Sequence, residues 1–192
     1  MKKNIILIRL FVLLIGDITA QVTMHGVTFP AKLGTEGKVC VLNGAGVRKH
    51  YFINIYVAGL YLPTKSSDPN AIINADDAIA VRLQIISSLV TQERMTESVK
   101  EGFRKATGGN TAPIQKEIDL VLKIFNSEPI KVGDVFDIWY IPGKGIVASK
   151  NAKKISLEIP GLTFKKLLYS IWLGKDPVDE GLKDSMLGLP VN

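Results

Sequence analysis

Cysteine is almost missing from this 192-residue chain, which has one, Cys40. An intramolecular disulfide is excluded, so stability has to come from a packed core. Within KVCVLNG the cysteine has apolar neighbours and reads as a small buried strand residue rather than a reactive thiol. Histidine is nearly as scarce. His25 and His50 are the two, and neither has a second His or Cys at ligand spacing, which argues against a metal centre and against a histidine-based triad. Long apolar runs are also lacking: after Arg9 the uninterrupted stretch is LFVLLIG, far short of the roughly 20 residues that span a bilayer. Basic residues are scattered apart from short pairs such as Lys153-Lys154 and Lys165-Lys166. No basic stripe alternates with aromatics, so nucleic-acid binding is not expected. The PGKG stretch at 142–145 lacks the spacing and the Lys-Ser/Thr ending of a phosphate loop and reads as a tight turn. No cofactor is implied.

What is present begins with MKKNIILIRLFVLLIGDITA, a basic end, a short apolar stretch and a small residue, Ala20, ahead of Gln21. That layout predicts a cleavable secretory signal over 1–20 and one exported domain over 21–192, with the periplasm as the expected destination. No integral membrane segment is expected after cleavage, and no cysteine stands at the cut site to take a lipid. Removing Lys2, Lys3, Arg9 and Asp17 from the 24 basic and 18 acidic residues leaves 21 and 17, a net charge of +4. With 46% hydrophobic residues the chain is that of a globular protein, and its length fits one domain.

The segments 22–30, 38–49, 51–63 and 78–86 are rich in Val, Ile, Phe and Tyr and read as strands preceding any long helix. The period then changes. In 91–106, Met95, Val99, Phe103 and Ala106 recur at helical spacing behind Thr91, a capping residue. In 111–126, Ile114, Ile118, Val121, Leu122 and Phe125 line one side, with Thr111 and Pro113 marking the start. Strands return in 134–150 and 153–159 around the PGKG turn. The chain closes with an amphipathic helix over 163–174 and a short one in PVDEGLKDSMLG. Strands in runs and helices in runs predict an α+β domain with helices over one face of an antiparallel sheet.

The stretches NGAGVRKHYFINIYVAGLYL, ESVKEGF, DVFDIWYIPGKGI and SIWLGKDPVDEGLKDSMLG, in this order and spacing, resemble the chalcone isomerase-like family, in its exported bacterial branch, over about 22–188. The resemblance implies an open-faced β-sandwich, a large antiparallel sheet covered on one face by helices with a cleft between. Plant members of that family close a flavanone ring with an arginine, a threonine, a tyrosine, an asparagine and a late Ser/Thr. Here those positions fall on Arg48, Tyr56, Met95, Gly102 and Ile171. Met95, Gly102 and Ile171 carry no proton donor and Tyr56 is too bulky to mimic a threonine, so authentic chalcone isomerase activity is not expected. The pattern is instead similar to the non-catalytic fatty-acid-binding branch, where an arginine and a tyrosine of this segment hold the ligand's carboxylate. The resemblance carries Arg48 over and favours Tyr61 over Tyr56 as the tyrosine.

The residues themselves raise the same question. Were 48–58 one unbroken strand, Arg48, His50, Phe52, Asn54, Tyr56 and Ala58 would share a face, which favours Tyr56, although a bulge at Gly59 would shift the register. A guanidinium without a partner is costly to bury, and the nearest acids along the chain are Glu36 and Asp68. Arg48 is then solvated at a sheet edge, paired elsewhere, or facing a ligand anion that takes two of its N–H groups. The expectation is an exported protein binding a small amphipathic carboxylate such as a fatty acid, with Arg48 and Tyr61 or Tyr56 as ligand-binding residues. The alternatives are an isomerase or intramolecular lyase acting on a conjugated carbonyl, and an envelope interaction protein without a ligand. The oligomeric state is left open.

Overall fold

A computed structural model describes residues 21–191, so the signal sequence read over 1–20 lies outside the described residues. Alternation of apolar side chains builds a seven-stranded sheet in simple chain order. It comprises β3 (Lys32–Thr35), β4 (Lys38–His50), β5 (Ile53–Leu62), β6 (Ile79–Ile85), β7 (Val135–Ile141), β8 (Gly145–Lys150) and β9 (Lys153–Ile159). Every neighbouring pair is antiparallel. The segment read as one strand over 22–30 is a separate hairpin, β1 (Val22–Met24) and β2 (Val27–Phe29). His25 and Gly26 turn it with positive φ, 49° and 76°, a conformation that glycine adopts freely.

Helices α2 (Gln92–Ala106), α3 (Gln115–Asn126), α4 (Leu162–Leu173) and α5 (Glu180–Met186) follow the periodicity of the sequence. Thr91 caps α2 by accepting the Arg94 N–H at 3.3 Å, as its residue type requires. At α3 a 3₁₀ turn over Ala112–Ile114 comes first, so the α-helix starts a turn later than Thr111 suggested. A six-residue helix, α1 (Pro69–Asn74), was not legible as a periodic pattern, but Asp68 caps it through the N–H groups of Asn70 and Ala71.

The main core lies between the helices and one sheet face, where Leu60, Val81, Leu83, Phe136 and Ile138 meet Phe103, Ile118, Ile124 and Leu168. Burying such a side chain fully stabilises by about 1.5–3 kcal/mol. A smaller cluster on the other face gathers Phe29, Leu33, Cys40, Tyr61 and Trp139, with the β1–β2 hairpin supplying Val27 and Phe29. This is the α+β architecture expected, with helices over one face and a smaller buried cluster on the other. Cys40 is buried and free.

A bulge in β4 decides what faces what. The register shifts between Leu42 and Gly44. Before it Cys40 and Leu42 face the small cluster; after it Gly44, Gly46 and Arg48 face the helices. Asn43 holds the bulge, exchanging hydrogen bonds with the Ser66 backbone (2.9 and 2.8 Å) and donating to the Met186 carbonyl at 2.8 Å. Helix α5 then lies so close that a Cβ on Gly44 would stand 2.2 Å from the Ser185 carbonyl oxygen, and one on Gly46 2.5 Å from the Ser185 Cβ. The glycines of NGAG are therefore the seat of α5, which sits beside Arg48.

A candidate carboxylate site on the helical face

The chain turns at Tyr51 and Phe52, so 48–58 is a hairpin rather than one strand, and Arg48 stands directly opposite Tyr56 in the β4–β5 ladder. Cross-strand partners have Cβ atoms about 4.5–5.5 Å apart. The Arg48 guanidinium carbon accordingly lies 5.5 Å from the centre of the Tyr56 ring, a cation–π arrangement. From α4, Trp172 donates its indole N–H to the Tyr56 hydroxyl oxygen at 3.0 Å. Indole is a donor only and must find an acceptor when buried. With the oxygen so occupied, the phenolic proton is free to be given elsewhere, and no acceptor for it stands among the described residues.

Arg48 is in the same position. Its Nε is sealed from solvent yet makes no hydrogen bond, the only such buried side-chain atom among the described residues. No carboxylate among them forms an ion pair with it. Asp179 reaches the hairpin but is committed, accepting the Lys49 N–H at 2.8 Å and the Leu182 N–H at 2.9 Å. An unanswered buried donor costs about 1–3 kcal/mol, and here two lie side by side. Burial pushes the Tyr56 hydroxyl above its ordinary pKa; the Arg48 charge and the Trp172 N–H pull it back, Asp179 pushes it up further, and the approach of an Arg48 N–H to the hydroxyl lowers it slightly. The tyrosine is thus a neutral donor at physiological pH.

Arg48 borders space. A cleft of about 660 Å³ opens between the end of the hairpin and α2, lined by Arg48, Ile53, Ile55, Met95, Ser98 and Val178 among others. Arg94, Glu97, Glu101 and Lys105 form its polar side on α2. Deeper in, between Tyr56, Met95, Ile171 and Trp172, only about 20 Å³ remains. Gly102 and Ile171 close that region: a Cβ on Gly102 would lie 2.9 Å from the Ile171 Cγ2. Two positions that resemblance would assign to polar catalytic groups are thus a packed helix–helix contact.

Tyr61 is not brought to Arg48. The β5–β6 pairing runs from Tyr56 to Tyr61 without a register shift, so Gly59 makes no bulge and Tyr61 points to the opposite face. There its hydroxyl donates to the Pro30 carbonyl at 3.0 Å. The structure does not support pairing Tyr61 with Arg48, because strand alternation holds the two on different sides of the sheet. Trp172, within the helix read over 163–174, is a further residue of the site that no local sequence signal marked. Among the described residues no three His, Cys, Asp or Glu side chains gather in a metal-binding cluster, and no helix is long and apolar enough to cross a membrane.

A large meandering antiparallel sheet with helices over one face and a cleft at one end defines a chalcone isomerase-like fold. The chain belongs to the chalcone isomerase-like family, whose family model matches residues 21–188. Among solved structures it is similar to a fatty-acid binding protein of Arabidopsis thaliana, with 18% sequence identity, 88% of this chain and 96% of that one covered, and a TM-score of 0.69. No curated protein matches the chain.

Proposed function

We propose that this is an exported, non-catalytic member of the family that binds a small amphipathic carboxylate, a fatty acid being the best fit. The observation that carries the reading is Arg48, a cation with no ion-pair partner among the described residues and a buried Nε that makes no hydrogen bond, at the wall of a cleft with Ile53, Ile55 and Met95 on its apolar side, and with Tyr56 directly beside it. A carboxylate in the cleft takes charge-assisted hydrogen bonds from the Arg48 guanidinium, and a small shift of that side chain brings its Nε and the Tyr56 hydroxyl, both closed off in the empty cleft, within reach. At about 660 Å³ the cleft falls within the ordinary range of ligand sites. Because the deeper space is filled, the acyl chain lies along Ile53, Ile55 and Met95 rather than in the core. The similar plant structure is named for fatty-acid binding, which agrees with this ligand class. Export rests on the basic-then-apolar layout of residues 1–20.

The same two donors would also stabilise an enolate, which keeps an isomerase or lyase of conjugated carbonyls as the second reading. Met95, Gly102 and Ile171 weigh against it. The test is mass spectrometry of organic extracts from purified wild type and Arg48→Ala, both checked for folding by circular dichroism. A fatty acid at one equivalent in the wild type and none in the folded variant is expected. Empty wild-type protein that binds no added fatty acid would overturn the reading, and enone turnover abolished by Arg48→Ala would replace it with the enzyme.

A further inference from the structure

Among the described residues, the most exposed large apolar side chains stand at the mouth of the cleft. Phe52 is 103% exposed and Tyr51 85%, and beside them Ile53 and Leu89 are 40% and 47% exposed. Tyr51 takes a positive φ of 53° to make the turn, with its ring edge-on to His50 at 4.6 Å. His50, Ile53 and Leu89 also line the cleft, so the apolar tip and the ligand's entrance are one continuous surface. From Gly37 to Ser67 the chain has no Asp or Glu, while Arg48, Lys49 and His50 immediately precede the tip. Lys49 and His50 are exposed. Asp179, the carboxylate that touches the hairpin, is held by the Lys49 and Leu182 N–H groups.

We propose that the β4–β5 hairpin tip is a docking element for an anionic lipid bilayer, through which the ligand passes between membrane and cleft. The transfer role rests on the fatty-acid reading above; the docking does not. Aromatic side chains that end a cationic strand fit the membrane interface, where the rings enter the headgroup region and the exposed Lys49 meets anionic lipid. A second copy of the chain fits less well, because an isologous contact through this tip would set Arg48, Lys49 and His50 of one copy against those of the other. Fatty acids reside in bilayers, so a carrier whose entrance touches one avoids carrying the acyl chain through water.

The experiment is sedimentation of the purified protein with vesicles of phosphatidylglycerol and phosphatidylethanolamine, beside vesicles of phosphatidylcholine alone. Wild type, Tyr51→Ser, Phe52→Asp and Arg48→Ala are compared, each also titrated with a fatty acid in solution. Phe52 is fully exposed, so its replacement leaves the fold intact. The expected result is wild-type binding to the anionic vesicles, weakened by salt and about tenfold by Phe52→Asp, with a smaller loss in Tyr51→Ser. Both tip variants keep the fatty-acid affinity in solution, whereas Arg48→Ala loses that affinity and keeps most of its vesicle binding. Wild type that stays in the supernatant, or Phe52→Asp that sediments as well as wild type, would overturn the docking element. Self-association abolished by Phe52→Asp without vesicle binding would also overturn it, assigning the tip to a second copy. Vesicle binding through the tip in a protein that takes no fatty acid would uphold docking and sink the ligand reading instead.

Discussion

Lys165 and Arg48 both bring a positive charge under the helical layer, at different places, and their surroundings differ in one respect. The Lys165 side chain, on α4, is completely buried, and its ammonium donates to the carbonyls of Ile72, Ile73 and Ala75 at 2.7, 2.9 and 2.8 Å. Three N–H groups meet three acceptors at the end of α1, so this cation is spent on fastening one helix to another. Burial pushes it down to about 8, with Asp77 and Asp76 pulling it back up. The Arg48 side chain, half-buried on β4, has a sealed Nε with no acceptor, next to a tyrosine whose proton also has none. A buried charge whose donors are all used is explained by the fold. One whose donors are left over at a cleft is explained by what the cleft receives.

Substitutions sharpen that contrast, beginning with the largest effect. Lys165→Met orphans three carbonyls, and chemical denaturation is expected to show a loss of about 3–5 kcal/mol. Arg48→Met in the same measurement is expected to cost nothing and to gain up to about 1 kcal/mol, the relief of an unanswered donor outweighing the lost contact with the Tyr56 ring. Equal losses in the two variants would erase the distinction. On ligand affinity the order reverses. Arg48→Met is expected to weaken fatty-acid binding by about 100-fold in calorimetric titration, the scale for truncating one partner of a buried charged hydrogen bond, while a folded remnant of Lys165→Met binds as before.

Tyr56→Phe removes one donor to the ligand and strands the Trp172 N–H. An affinity loss of about tenfold is expected, with about 1–2 kcal/mol of stability. Trp172→Phe leaves Tyr56 its hydroxyl but frees it to rotate, and a loss of about threefold is expected in the same titration. The smallest effect is with pH. Tyr56 is held neutral because its pKa is raised, so affinity is expected to stay flat from about pH 6 to 9 and to fall only at acidic pH, as the ligand's own carboxyl protonates. For stability the raised tyrosine has the opposite window: above pH 10 the unfolded chain loses a proton that the folded one keeps, so its contribution declines as pH rises.

The fold was legible where periodicity was long. Helices α2, α3 and α4 and six of the seven strands of the sheet lie in the segments read as helix and strand, while the four-residue β3 was not read. What was hidden is local and short: the six-residue α1, the turn inside 22–30, and the bulge at Asn43, which depends on hydrogen bonds to Ser66 and to Met186, 143 residues away. The site divided the same way. Arg48 stood out in sequence because no acid lies near it along the chain. The choice between Tyr56 and Tyr61 could not be settled by counting along one strand, because the turn at Tyr51 and Phe52 folds Tyr56 back onto Arg48. Trp172 lies 116 residues from Tyr56, and only the closing of α4 over the sheet makes it a partner.

The most direct test is a calorimetric comparison of one long-chain fatty acid with its methyl ester, on wild type and Arg48→Ala. The ester keeps the chain and loses the charge. Wild type is expected to prefer the acid by about 100-fold, and the variant to bind the two alike. If wild type binds acid and ester equally, or Arg48→Ala keeps the preference, Arg48 and Tyr56 do not hold a carboxylate.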